Sequence, residues 1–241
     1  MIDSIIEDII IPIKSDNIDL MGSINYTSNT PSKTPWIIIC AAVLYHRGSK
    51  FVKSFAEKFS NAGYYVLTYD YRGHGDTAKK TGKLKYIKMM PKIYTDIHEI
   101  TSWILENQSD RLLDEKIALF GRSLGGAIIL THGFIDERVK ILIPLCTRYD
   151  YATVKVRFPQ ELIEKMSPKY FLKKDPLNNK RILLGHCKDD ERIPFENVLQ
   201  IRKHLGLNDE NVMIFNTGGH SFAGYREDVF EQALEFLKKS F

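Results

Sequence analysis

The stretch from Lys116 to Leu130 constrains the fold more than any other part of this 241-residue chain. An apolar run over 117–120 predicts a buried strand, and the stretch over 126–130 predicts a helix. Only Gly121-Arg-Ser-Leu-Gly125 separates them. A strand that reverses into a helix so abruptly strains the backbone at the apex, and side chains two positions to either side would collide there. Glycine at both positions meets this requirement, so we predict a strand, a sharp turn and a helix.

The same turn gives Ser123 a possible chemical role. The strain lifts its hydroxyl clear of the sheet and sets it at the positive N-terminal end of the helix, where developing negative charge is stabilised. The pattern G-x-S-x-G occurs by chance in many sequences, but a preceding strand and a following helix are the context in which it marks a nucleophile. We therefore interpret Ser123 as a candidate nucleophile.

Strand and helix signals alternate along the rest of the chain. Because strands that alternate with helices form mostly parallel sheets covered on both faces, we predict one α/β domain over 1–241 with an eight-stranded sheet. A polar turn over 14–17 predicts that the first two strands form an antiparallel hairpin. Besides the strand over 117–120, strands are predicted over 5–13, 18–26, 36–40, 64–69, 139–145, 181–184 and 212–215, and the helices over 51–61, after Pro91, over 194–205 and from Phe222.

The segment over 146–179 breaks this alternation. It contains three prolines, several aromatic residues and a short helical piece over 161–166, and it is too long for an ordinary connection. We predict a small insertion that covers the site, a lid. The alternative is a surface excursion with no role in binding.

Composition excludes several classes of protein. The longest apolar run, over 36–45, is far too short to cross a bilayer. The net charge of +4 comes without a block of basic residues interleaved with aromatic ones, which argues against nucleic-acid binding. Acidic residues stand near the N-terminus where an export signal would carry basic ones, and the three cysteines are widely spaced. These features favour a cytoplasmic protein.

A serine hydroxyl becomes a good nucleophile only when a neighbouring histidine takes its proton, and a carboxylate must hold that histidine in the right tautomer. Among seven histidines, His220 is the best candidate because its Gly-rich loop, 217–222, follows the last strand. That position brings it to the same edge of the sheet as Ser123. His74 lies in another loop at a strand end and is the reserve candidate.

Three acids follow the strand before the 194–205 helix and could orient the histidine. They are Asp189, Asp190 and Glu191, and their alternative role is to cap that helix. Serine, acid and histidine thus appear in this order, each after a strand. This is the order found in α/β hydrolases, and it differs from the order in the chymotrypsin and subtilisin folds.

On these motifs the chain resembles the α/β-hydrolase-fold serine hydrolases, in particular small-lid esterases and monoacylglycerol-lipase-like or serine-aminopeptidase-like enzymes. The resemblance runs from about Trp36 to the C-terminus. Gly63-Tyr-Tyr-Val-Leu-Thr-Tyr-Asp-Tyr-Arg-Gly-His-Gly75 is similar to the family's strand-4 segment, and Gly121-Arg-Ser-Leu-Gly-Gly126 is similar to its elbow. His186-Cys-Lys-Asp-Asp-Glu-Arg-Ile-Pro194 is similar to its acid loop, commonly H-G-x-x-D-x-x-V-P. This match selects Asp190 as the acid, with Asp189 second.

The resemblance implies hydrolysis of a small acyl substrate without a metal or organic cofactor. Ser123 would attack the carbonyl carbon, His220 would shuttle the proton and Asp190 would orient His220. Backbone amides of Leu124 and of Val43 or its neighbour would stabilise the oxyanion. The family usually has His-Gly after strand 3, where this chain has Ala41-Ala42. Because the donors belong to the backbone, alanines do not forbid such a site.

Several alternatives stay open or are set aside. A carboxylic ester is the expected substrate, and a thioesterase or an aminopeptidase-like amidase would use the same triad. A catalytically silent hydrolase-fold protein that binds a ligand or partner is the alternative of another class. A G-x-G-x-x-A pattern over 73–78 suggests dinucleotide binding only weakly, since no clear helix is predicted after it. His186, Cys187, Asp189 and Asp190 match no zinc-site spacing.

Overall fold

The computed structural model describes residues 3–241, apart from the side chain of Tyr86. Eight strands form one sheet, in the order β1-β2-β4-β3-β5-β6-β7-β8. The strands are β1 (Ser4–Ile13), β2 (Ile18–Thr27), β3 (Thr34–Cys40), β4 (Tyr65–Tyr69), β5 (Leu112–Arg122), β6 (Val139–Leu145), β7 (Leu184–Cys187) and β8 (Val212–Phe215). Strand β2 runs antiparallel to both of its neighbours, and the other neighbouring pairs are parallel. The predicted α/β-hydrolase sheet with its N-terminal hairpin is confirmed.

Helices cover both faces of this sheet. Consecutive residues of the central strands, 37–39 of β3 and 118–120 of β5, are at most 1% exposed, so neither face of these strands contacts solvent. The helices are α1 (Lys50–Asn61), α2 (Ala78–Thr81), α3 (Tyr86–Asn107), α4 (Leu124–Ile128), α5 (Gln160–Met166), α6 (Asn178–Arg181), α7 (Glu196–Leu205) and α8 (Arg226–Ser240). Among residues 3–241, no helix combines the length and the apolar character that crossing a membrane requires.

Two predicted helix starts are wrong. Helix α3 begins at Tyr86 and runs through Pro91, although proline cannot donate the usual hydrogen bond of its turn. Met90, which is 4% exposed, buries its side chain in the core and so offsets that loss. The last helix begins at Arg226 rather than at Phe222, because Phe222 and Gly224 have the left-handed φ values of 52° and 84°.

The prediction of a strand over 181–184 is also wrong at its start. Arg181 is the last residue of helix α6, and β7 begins only at Leu184. The Arg181 guanidinium donates hydrogen bonds to the carbonyl oxygen of Val139, where β6 begins, and to three carbonyl oxygens just before it. The stretch after the 73–78 pattern likewise differs from expectation. It forms the single-turn helix α2, which ends at Thr81 and is followed by Gly82 with a φ of 75°.

The segment over 146–179 is folded, and it begins at the sheet edge where the parallel strand β6 ends. Its helix α5 buries Leu162 and Met166, and α5 packs against α3. The Tyr94 hydroxyl on α3 donates a hydrogen bond of 3.0 Å to the Tyr151 hydroxyl of the segment. That this segment acts as a lid stays a prediction.

Candidate active site

The turn between β5 and α4 has the strained geometry that its glycines predict. Ser123, at its apex, has φ 59° and ψ −115°, values that a non-glycine residue rarely adopts. A Cβ atom on Gly121 would lie 2.5 Å from the carbonyl oxygen of Cys40, and one on Gly125 would lie 2.1 Å from the same oxygen. The turn therefore needs glycine at both positions because it presses against the end of β3.

His220 and Asp190 are in direct contact beside this turn. The distance from His220 Nδ1 to Asp190 Oδ2 is 2.7 Å, and the Asp190 side chain is fully buried. The other carboxylate oxygen accepts hydrogen bonds from the amides of Arg192, at 2.9 Å, and Ile193, at 3.0 Å. Burial opposes ionisation of Asp190, but the hydrogen bonds from His220 and from these amides outweigh it and lower its pKa to about 2. Asp190 is thus a carboxylate that can orient the His220 ring.

Asp189 contacts the same loop in a different way. Its carboxylate oxygens accept hydrogen bonds from the amides of Gly218, at 3.1 Å, and Gly219, at 2.8 Å. These two glycines have φ values of 116° and 57°, and such left-handed backbone is readily adopted only by glycine. Asp189 therefore holds the backbone of the histidine loop, whereas Asp190 contacts the ring. Glu191, the third acid, is exposed.

The reserve candidate, His74, lies elsewhere. The residue is 5% exposed, its Nδ1 is 2.9 Å from the carbonyl oxygen of Arg72, and its Nε2 has no hydrogen-bond partner. Burial lowers the pKa of His74, despite the opposing hydrogen bond to Arg72. None of its hydrogen bonds reaches Ser123 or Asp190, whereas the His220 ring contacts Asp190 directly.

The loops of Ser123 and His220 are joined through the residue before the serine. Arg122 Nη1 donates a hydrogen bond of 3.0 Å to the carbonyl oxygen of His220. Within residues 3–241, no hydrogen bond links the Ser123 hydroxyl directly to the His220 ring. Such bonds are often long in enzymes without substrate and tighten in the substrate complex.

The backbone after β3 forms a tight turn over 42–45. The amide of Tyr45 donates a hydrogen bond of 3.0 Å to the carbonyl oxygen of Ala42, and Leu44 has a φ of 66°. A positive φ at the third position of a hydrogen-bonded turn is typical of type II. In the described chain, the amides of Val43 and Leu124 donate no hydrogen bond to another residue. The contact between Gly125 and Cys40 brings the two loops that carry these amides together.

Three residues that the sequence motifs did not single out also shape the site. Tyr71 donates a hydrogen bond of 2.9 Å from its hydroxyl to the carbonyl oxygen of Ala41, and its side chain is buried. Asp70 accepts hydrogen bonds from the amides of Arg47 and Asp76 and so ties the loops after β3 and β4 together. The third residue is Arg122. The strand-4 segment contains Asp70 and Tyr71, but their partners after β3 carry no pattern of their own.

One cluster near the site has the residue types of a metal centre. Ligand atoms of Cys146, His186 and Asp190 lie within 4.8 Å of one another, and all three residues are buried. However, His186 Nε2 is 3.0 Å from the carbonyl oxygen of Ile193, and Asp190 is bonded to His220. Burial raises the pKa of Cys146, which disfavours the thiolate that a metal needs. The cluster therefore fits a packed support of the acid loop better than a metal site.

A large cavity lies at the opposite edge of the sheet. Its volume is about 810 Å³, and its lining includes Leu183 before β7, Asn211 before β8 and Phe236 of α8. None of the candidate site residues lines it.

Comparisons with known proteins agree with this architecture. The sequence model of the family described as serine aminopeptidase, S33, matches residues 37–195. An uncharacterized 31.7 kDa protein from the traX-finO intergenic region of Escherichia coli is 31% identical over 112 residues, which cover 46% of this chain but only 36% of that protein.

Solved structures extend the likeness over nearly the whole chain. Est1E from Butyrivibrio proteoclasticus with bound ferulic acid superposes with a TM-score of 0.77 at 19% identity, over 96% of this chain and 98% of the other. The esterase Pf2001 from Pyrococcus furiosus superposes with a TM-score of 0.70 at 18% identity, over 97% and 92%. The chain belongs to the serine aminopeptidase S33 family, and its fold is that of the α/β hydrolases.

Proposed function

We propose that this protein hydrolyses carboxylic esters through a covalent acyl-enzyme, with Ser123 as nucleophile, His220 as general base and Asp190 as the acid that orients His220. The observation that carries the proposal is the 2.7 Å contact between His220 and the ionised Asp190, in the loop that Arg122 ties to the strained Ser123 turn. A pre-oriented imidazole beside a serine hydroxyl is the arrangement that activates a serine.

The proposed reaction has two stages, acylation of Ser123 and hydrolysis of the acyl-enzyme. His220 Nε2 takes the hydroxyl proton as Ser123 Oγ bonds to the carbonyl carbon, and the carbonyl oxygen becomes an oxyanion. The amides of Leu124 and Val43 would stabilise that charge. As the carbon–oxygen bond to the alcohol breaks, His220 returns the proton to the leaving oxygen. Water then attacks the acyl-enzyme by the same route and releases the acid and free Ser123.

The similar structures and the family description bear on which bond is cleaved. Of the superposed proteins, Pf2001 is named an esterase and Est1E binds ferulic acid, which favours an ester substrate. The family description, serine aminopeptidase, favours amide cleavage as the second candidate. We propose that the 146–179 segment sets the choice of acyl group. Three free, buried cysteines support work in a reducing compartment such as the cytoplasm.

A panel of p-nitrophenyl esters, acyl-CoA thioesters and aminoacyl p-nitroanilides tests the proposal. We expect turnover of a short-chain ester by the native protein and a loss of several orders of magnitude in Ser123→Ala. Covalent labelling of Ser123 by a fluorophosphonate, located by peptide mass spectrometry, is the second readout. If native protein were neither labelled nor active on any of the three classes, the silent binding protein would be the better hypothesis.

A further inference from the structure

Arg122 occupies an unusual position for a charged side chain. It immediately precedes Ser123 and is only 3% exposed. Its Nη1 donates hydrogen bonds to the carbonyl oxygen of His220, at 3.0 Å, and to the hydroxyl of Ser221, at 2.6 Å. The guanidinium lies 4.5 Å from the ring centre of Phe51 and 5.4 Å from that of Tyr45. The side chain therefore reaches from the serine turn to the histidine loop and packs against the rings of Phe51 and Tyr45.

The fold does not neutralise this buried charge. Within residues 3–241, no carboxylate lies within 4.0 Å of the Arg122 guanidinium, and its Nε has no hydrogen-bond partner. Burial accordingly lowers the pKa of Arg122. A buried arginine normally has an acidic partner, and replacing a buried charge by a well-packed apolar side chain is often neutral or stabilising. Stability alone thus gives no reason for arginine here.

The histidine loop, in contrast, needs external support. Gly218, Gly219 and Phe222 around His220 all have left-handed φ values, so the chain is folded tightly here and glycine adds flexibility. Asp190 holds the ring and Asp189 holds the amides of the two glycines. Arg122 holds the carbonyl of His220 itself, and it does so from the turn that carries the nucleophile.

We propose that Arg122 is a positioning residue that couples the place of His220 to the place of Ser123. This inference rests on the proposed serine hydrolase function. Because Ser123 and the arginine share one peptide bond, any shift of the serine turn carries the guanidinium, and through it the histidine backbone, in the same direction. The distance between the Ser123 hydroxyl and the His220 imidazole therefore stays constant while His220 takes the serine proton and while it returns that proton to the leaving oxygen.

A second arginine, which is partly buried, offers a control. Arg181 also has an Nε without a partner, and burial lowers its pKa as well. Its guanidinium donates hydrogen bonds to backbone carbonyl oxygens at the opposite edge of the sheet from Ser123, those of Gly133, Phe134, Asp136 and Val139. Arg181 therefore resembles Arg122 in its unpartnered Nε and its bonding to backbone carbonyl oxygens, but its hydrogen bonds reach no part of the proposed relay.

The experiment compares Arg122→Met, Arg122→Lys and Arg181→Met with native protein, using steady-state hydrolysis of a p-nitrophenyl ester and thermal unfolding. We expect Arg122→Met to keep the native Tm or exceed it, and to lose roughly 10²-fold in kcat with little change in KM. Arg122→Lys, which keeps a donor and the charge, should recover part of that kcat. Arg181→Met, which takes the donor from four backbone carbonyl oxygens rather than one, should lower Tm and leave kcat of the folded protein unchanged. An unchanged kcat in folded Arg122→Met, or equal behaviour of the two methionine variants, would overturn the proposal.

Two further measurements separate the possible outcomes. Ser221→Ala removes one acceptor of Arg122 without altering the core, so it should lower kcat slightly. In the double variant with Arg122→Lys, it should add nothing to the loss of kcat. If Arg122→Met fails to fold, full additivity of these two losses would count against the coupling. Fluorophosphonate labelling of Ser123 should slow in Arg122→Met in parallel with kcat. Native protein that is labelled and active, with an unaffected Arg122→Met, leaves the serine hydrolase standing and rejects only the role of Arg122. Native protein that is neither labelled nor active rejects both.

Discussion

The carbonyl oxygen of Cys40 lies 2.1 Å from the position that a Cβ atom on Gly125 would occupy. That oxygen belongs to the end of the central strand β3 and cannot move aside as a flexible side chain could. We expect Gly125→Ala to lower the free energy of unfolding by about 3 kcal/mol and to abolish ester hydrolysis, because the turn must shift to make room. Urea unfolding and the p-nitrophenyl ester assay measure the two effects.

Gly48→Ala is the matched control for this substitution. A Cβ on Gly48 would meet only the ring of the exposed His46, at 3.0 Å, and that ring can rotate away. Its stability and activity should stay near the native values. Native-like activity in Gly125→Ala would mean that the turn tolerates a side chain and would remove the steric argument for glycine.

The amide of Val43 can be deleted without changing the turn that carries it. Val43 is the second residue of the type II turn over 42–45, a position where proline is favoured. Because proline has no N–H group, Val43→Pro should lower kcat by about 10²-fold to 10³-fold, with KM little changed, if this amide binds the oxyanion.

Val43→Ala serves as its partner variant, since it removes the same side chain but keeps the amide. We expect it to retain most of the native kcat. Circular dichroism and thermal unfolding should be alike for the two variants. Equal activities for Val43→Pro and Val43→Ala would show that the Val43 amide does not bind the oxyanion and that a neighbouring residue supplies the second donor.

The two neighbouring carboxylates should differ in their effect on turnover. Asp190 bonds to the His220 ring, so Asp190→Asn should favour the wrong tautomer and lower kcat by about 10⁴-fold. Asp189 bonds only to the amides of Gly218 and Gly219, so Asp189→Asn should have a much smaller effect on kcat. Steady-state kinetics of both variants give the comparison, and a larger loss in Asp189→Asn would reverse our assignment of the triad acid.

Acid should remove the stability that the Asp190 carboxylate contributes. Its pKa is about 2 in the folded protein and 3.8 for an ordinary aspartate, so the folded state binds this proton less readily than the unfolded state does. The contribution is therefore complete above about pH 4 and is lost as the pH falls to about 2. The difference in free energy of unfolding between native protein and Asp190→Asn should therefore shrink as the pH falls from about 4 to about 2. A constant difference down to about pH 2 would contradict the lowered pKa.

Local sequence patterns predict much of this fold. The hairpin, the central strands and the glycine-flanked turn follow from apolar periodicity and from the steric limits of a short reversal. Helix starts are harder to predict, because Pro91 normally ends a helix and Phe222 carries no mark of its left-handed backbone. In both cases tertiary packing decides the conformation, and packing partners are distant in sequence.

The candidate site, too, is only partly predictable from the sequence. The positions of Ser123, Asp190 and His220 after strands are visible in the sequence, and the structure brings the last two into contact. The part of Arg122 is not visible, because arginine is nearly always exposed and its acceptors lie about a hundred positions further along the chain. Asp189 and Asp190 are adjacent residues of the same type, and only the path of the 217–222 loop separates their tasks.

Residues 189 and 190 bind the histidine loop at two places. The acid loop and the histidine loop should therefore be exchanged together when this protein is recombined with a relative. A chimaera that takes either loop alone from a related enzyme would keep one anchor and misplace the other. Transplanting both loops together would preserve the relay, so the natural crossover points for recombining this hydrolase with its relatives lie before β7 and after residue 225.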